Sequence, residues 1–196
     1  MKTITRLIIF LLSQFCAAQS LAAPIKPLLT LPSNLKAGDY LKDLNNVLQP
    51  YVGTWEGTAN NKKYTFVITK FTKKYQAFGN YYLDELKLKF RVTNLSTGVI
   101  LYDNLDAVSY EQYTIYAASP SRGMLACFFT DSAANCHNPL EFYLKNITGN
   151  PYQKKYCYFR EGEWDGYLVG DNCYNTINRA TIPVWLPTQD LILTKQ

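Results

Sequence analysis

Histidine is the scarcest functional residue in this 196-residue chain: there is one, His137, between Cys136 and Asn138. A Ser-His-Asp or Cys-His arrangement has to use it. Hydrolytic zinc takes about three protein ligands, commonly several of them histidine, so metal hydrolysis is not expected. No Cys-x-x-Cys pair is present, and no metal site or cofactor is expected. Gly53, Gly57, Gly162, Gly166 and Gly170 do not lie between a strand and a helix, which excludes a phosphate-cradling loop. Net charge is also small. Twenty Lys+Arg oppose fifteen Asp+Glu, giving +5, and two of the cations, Lys2 and Arg6, stand at the very start. The dispersed remainder is too weak for nucleic acid.

Long apolar runs are missing as well. The one at residues 7–12 is too short to cross a bilayer. With Lys2 and Arg6 before it and small residues from Cys16 to Ala22 after it, residues 1–22 read as a cleaved signal peptide. The expected address is secreted or periplasmic. Outside the leader four cysteines remain, and an even number in an exported chain reads as two disulfides. Of three pairings, Cys127–Cys136 with Cys157–Cys173 is preferred, because both close short loops between neighbouring strands.

What the chain has in quantity is aromatic residues, 15%, with 16 tyrosines, in alternating patterns that favour β-structure. After an extended lead-in over 23–38, punctuated by prolines, Tyr40, Leu41, Leu44, Val47 and Leu48 recur at helical spacing. They predict a short helix over 39–48. Residues 51–58 read as a first strand, with Gly53 and Trp55 forming a plug at the closed end of a barrel. Asn60-Asn61 turns into a strand at 63–71, and Lys73-Lys74 is expected to turn the chain again. Residues 86–93 are apolar on one parity and cationic or polar on the other, the mark of an antiparallel sheet with one wet side. Further strands are expected at 99–102, 110–117, 124–130, 140–145 and 152–160. A last one at 191–194 is positioned to pair with the first and close the sheet.

The reading is all-β: an antiparallel meander over 39–196, closed into a barrel of about eight to nine strands, as one monomeric domain. The short helix, the Gly53-x-Trp55 strand and the meander together resemble the calycin superfamily of lipocalins and avidin-like barrels. That resemblance implies a late arginine over Trp55, for which Arg160 and Arg179 are the candidates. Residues 40–46, 51–55, 101–105 and 186–196 are similar to an uncharacterised family of small exported proteins from flavobacteria and their Bacteroidetes relatives. This second resemblance implies an address and no activity.

Three functions are compatible with these features. The first is a non-enzymatic, lipocalin-like carrier holding a small apolar or amphipathic ligand among Tyr64, Phe66, Phe90, Tyr102 and Tyr113. The second is a filled barrel whose loops bind an envelope protein or glycan. The third is a glycan-active enzyme using Glu161, Glu163 and Asp165 around Trp164, since glycoside hydrolysis needs a carboxylate pair.

Overall fold

The computed structural model describes residues 23–129, 140–159 and 185–196. Its strands are β1 (Ile25–Pro27), β2 (Tyr40–Lys42), β3 (Gly53–Ala59), β4 (Lys62–Gln76), β5 (Tyr81–Asn94), β6 (Ile100–Asp103), β7 (Ile115–Ala117), β8 (Met124–Phe129), β9 (Leu140–Ile147), β10 (Asn150–Phe159) and β11 (Leu191–Lys195). Three 3-10 turns accompany them, at Pro32–Asn34, Gln49–Tyr51 and Tyr110–Gln112.

Eight of these strands close into an antiparallel barrel in the order β3-β4-β5-β7-β8-β9-β10-β11. Two pairings complete the ring: Thr194 and Lys195 of β11 lie against Glu56 and Trp55 of β3, and Leu86–Leu88 of β5 oppose β7. Closure removes the open edges that a flat sheet of this width would expose. The predicted pairing of last strand with first is therefore present.

Local chemistry explains the individual elements. Asn60 and Asn61 both take positive φ, 49° and 58°, and join Ala59 to Lys62 as a two-residue hairpin whose twist matches its strands. In β4 the residues Tyr64, Phe66 and Ile68 face inward, and in β5 so do Leu86, Leu88, Phe90 and Val92. Gly57 lies where β11 approaches β3 closely: a Cβ there would stand 2.6 Å from the Ile192 carbonyl oxygen.

Three expectations need correction. Residues 39–48 are not a helix. Tyr40–Lys42 instead forms β2, which adds parallel to β5, with β1 parallel outside it. The physical reason is Asp43, whose buried carboxylate accepts the Val47 and Leu48 N–H groups and folds the following residues into a tight turn. Leu44, expected on the apolar helix face, is 52% exposed. Nor does Lys73-Lys74 turn the chain. Lys73 takes φ 51° in a bulge between Phe71 and Lys74, and β4 continues to Gln76. A bulge inserts one residue and bends a strand without ending it. Finally, only the last part of 110–117 is strand. Its start is a 3-10 turn held by a capping box between Ser109 and Gln112.

Candidate functional site

The barrel interior is occupied by rings. Phe66 stacks on Phe90 at 5.7 Å, on Tyr156 at 6.1 Å, and lies 6.1 Å from Phe142. Phe142 and Tyr156 stack at 4.7 Å, and Phe90 meets the edge of Phe129 at 5.4 Å. Such centroid separations belong to rings in direct contact. Of the five residues expected to line a ligand cavity, Tyr64, Phe66 and Phe90 are buried in this cluster. Tyr102 stacks on Phe90 at 4.4 Å and meets Trp185 at 5.7 Å. Tyr113 is elsewhere. It lies on the outer face, edge-on to Phe71 at 5.2 Å and hydrogen-bonded to the Thr69 hydroxyl. The structure thus gathers four of the five and separates the fifth.

The expected plug is at one end. Trp55 is fully buried and its indole N–H donates to the Tyr51 carbonyl at 2.7 Å. Gly53 takes φ 127°, and a Cβ there would stand 2.8 Å from Lys195 Cε, so both backbone conformation and space favour glycine. Among the described residues the cations over Trp55 are lysines: Lys154 Nζ lies 5.1 Å and Lys195 Nζ 5.4 Å from the ring. The arginine candidates Arg160 and Arg179 lie outside the described residues. Burial, then the charge of Lys195, holds the Lys154 ammonium below the ordinary lysine range. Sequence reasoning missed both lysines, although a signal was there: Lys154 shares the parity of Tyr156, and Lys195 that of Leu191 and Leu193.

A second polar cluster joins the lead-in to the barrel. Asp84 on β5 is 2% exposed and accepts hydrogen bonds from the Tyr40 hydroxyl at 2.6 Å, the Lys73 N–H at 3.0 Å and the Asp43 N–H at 3.1 Å. Lys70 donates to Asp43 at 2.8 Å, and its ammonium lies 4.0 Å from Asp84. Burial alone would push the Asp84 carboxyl up; the hydrogen bonds and the Lys70 charge outweigh it and hold it below the usual range. Burial and then the Asp84 carboxylate push the Tyr40 hydroxyl up to about 12. The Asp84 carboxylate and the Tyr40 hydroxyl are both committed to folding contacts, so this is a latch.

The third feature is a groove of about 800 Å³ flanking the barrel, between the lead-in and the connections after β4 and β7. Leu28, Leu35, Leu41 and Leu83 line it, with Phe78 and Arg122 at its margin. Phe78 is 98% exposed and Leu31 65%. Arg122 is the charged residue of this lining.

Cys127 and Cys157 are free thiols on opposite faces of the sheet: Cys127 is buried with Leu125 and Phe129, while Cys157 alternates with buried Tyr156. A bond between these two is therefore excluded. Burial pushes the Cys127 thiol well up, which keeps it protonated and weakly nucleophilic. Their expected partners Cys136 and Cys173 lie outside the described residues, as do His137, Glu161, Glu163, Trp164 and Asp165. Among the described residues no cluster of His, Cys, Asp or Glu is arranged to hold a metal. No helix among them is long and apolar enough to cross a membrane.

A protein-family model described as a family of unknown function (DUF6705) matches residues 1–196. No curated protein and no solved structure matches.

Proposed function

The chain belongs to the DUF6705 family of unknown function, and we propose that it is an exported, non-enzymatic β-barrel binding protein. Its ligand is a small amphipathic molecule, an apolar body with one acidic group, and the groove beside the barrel holds it. The interior is the less suitable place, because Phe66 and Phe90 each already contact three other rings.

The observation that carries this reading is the groove itself. Its volume of about 800 Å³ falls within the usual range of small-molecule sites; leucines dominate its lining, Thr30, Tyr81, Ser119 and Ser121 add polar groups, and Arg122 is its one cation. Arg122, with no ion pair among the described residues, complements an acidic head group. Exposed Phe78 and Leu31 are the kind of apolar surface that marks a contact site when clustered. The non-enzymatic part of the reading is supported by the latch, where the most buried carboxylates are taken up by backbone N–H groups and Lys70.

The test is binding of a fluorescent fatty-acid analogue to the purified protein. The expected result is saturable binding that Leu31→Glu and Phe78→Ser abolish and Arg122→Gln weakens, all three leaving the melting temperature unchanged. Binding kept in those variants but lost in a folded Phe90→Leu variant would return the ligand to the barrel interior and sink the groove assignment.

A further inference from the structure

Among the described residues, two lysines face into the barrel with no opposite charge to meet them. Lys154 on β10 is 2% exposed and lies on the same side of its strand as Tyr156. Lys195 on β11 lies on the same side as Leu193 and pairs with Trp55 across the closing seam. Their ammonium groups converge on one indole, at 5.1 and 5.4 Å from the Trp55 ring. Among the described residues, neither forms an ion pair with a carboxylate. Near them is Tyr51, whose ring lies 5.3 Å from Lys154 Nζ and whose buried hydroxyl has no hydrogen-bond partner among the described residues. The side chains that act on that hydroxyl are Cys127 and the exposed Asn146, the latter without making a normal hydrogen bond to it. Burial pushes the Tyr51 hydroxyl up to about 12, so it is a donor at neutral pH.

Among the described residues the cluster therefore offers donors and no anionic acceptor. We propose that it binds a small oxyanion, a carboxylate or phosphate group, at the plugged end of the barrel. Two unneutralised ammonium groups repel each other, and the negative face of Trp55 offsets this only in part. One oxyanion lodged between Lys154 and Lys195 removes this repulsion and the missing counter-charge together, since its oxygens accept charge-assisted hydrogen bonds from both lysines. The described carboxylates stand where folding needs them, as Asp43 and Asp84 show, and none of them stands here. Entry is from the side of Lys195 and Asn146, which are not buried. This site is separate from the groove and does not depend on it.

Because Trp55 touches both lysines, its indole N–H signal in a ¹H–¹⁵N spectrum reports occupancy. The full-length protein is titrated with inorganic phosphate, and separately with acetate and octanoate, at ionic strength held constant with chloride. A saturable shift of the Trp55 signal is expected, weakened about tenfold or more in Lys195→Met and in Lys154→Met, as the loss of one charge-assisted hydrogen bond requires. Tighter binding of octanoate than of acetate identifies the acidic head of an apolar molecule; preference for phosphate identifies a free anion. A shift no larger than chloride gives, or one retained in the double variant, would overturn the site. Lys195→Met alone decides the matter if Lys154→Met fails to fold. Leu31→Glu and Phe78→Ser must leave the Trp55 titration unchanged, which keeps this test independent of the groove.

Discussion

The two polar clusters near the start of the barrel are opposites. In the latch, Asp84 and Asp43 are buried and their oxygens receive hydrogen bonds from Tyr40, Lys70 and four backbone N–H groups. At the plug, Lys154 is just as buried, yet it faces Lys195 and two aromatic rings. A buried charge that is fully hydrogen-bonded resists removal, whereas one without a counter-charge costs stability until something neutralises it. The latch is therefore a device for folding, fixing the lead-in to β5. The plug carries a destabilising feature, which is where a binding role is to be sought.

The contrast is sharpest in the variants that remove it. Asp84→Ala leaves the Tyr40 hydroxyl and the Asp43 and Lys73 N–H groups without their acceptor and should cost about 3–5 kcal/mol in chemical denaturation. Trp55→Ala, a large-to-small change at a fully buried site, should cost a similar 3–5 kcal/mol. An effect below about 1 kcal/mol for Trp55→Ala would contradict the plug assignment. Next come two lysine substitutions of identical chemistry. Lys70→Met strips the counter-charge from Asp43 and should cost about 2 kcal/mol. Lys154→Met removes an unneutralised buried ammonium and should raise stability by about 1 kcal/mol in anion-free buffer. The same sign for both would erase the distinction between the clusters.

A pH titration of stability tests the latch from both sides. The folded Asp84 carboxyl is depressed, so its contribution is complete above about pH 4 and is lost as pH falls through the folded value. The folded Tyr40 hydroxyl is raised, so its contribution is complete below about pH 10 and is lost as pH climbs through about 12. Asp84→Asn should flatten the acid limb. An unchanged acid limb in that variant would remove Asp84 from the latch. The smallest effect belongs to Lys195→Met at the barrel's rim, within about 0.5 kcal/mol in the absence of anion.

How far these regions were legible differs for a physical reason. The strands β4, β5 and β11 were readable because a half-buried strand writes its burial in alternate residues, as Tyr64, Phe66 and Ile68 or Leu191 and Leu193 do. Lys154 and Lys195 were written in the same code, as charges on the apolar parity, but a lysine in a strand reads at first as a wet-face residue. The stretch at 39–48 misled because Tyr40, Leu41, Leu44, Val47 and Leu48 have helical spacing, while the competing interaction comes from within the fold. Asp43 satisfies the backbone of its own turn, and Tyr40 reaches Asp84, 44 residues away. Tyr113 was grouped with the interior aromatics on residue type alone. Its contact with Phe71 and Thr69 depends on how the segment before β7 crosses the outer face.

The sequence by itself determined the all-β class, the inward and outward parity of the longer strands, the Asn60-Asn61 hairpin and the pairing of the last strand with the first. Each of these follows from residues within a few positions of one another, or from the requirement that an apolar sheet face and its edges be covered. Tertiary structure alone decided the parallel addition of β1 and β2, the bulge at Lys73 and the burial of Asp43 and Asp84. It also decided the meeting of Lys154 and Lys195 over Trp55. Those outcomes depend on which distant strand lies alongside, and a local pattern of side chains carries no record of its eventual neighbours.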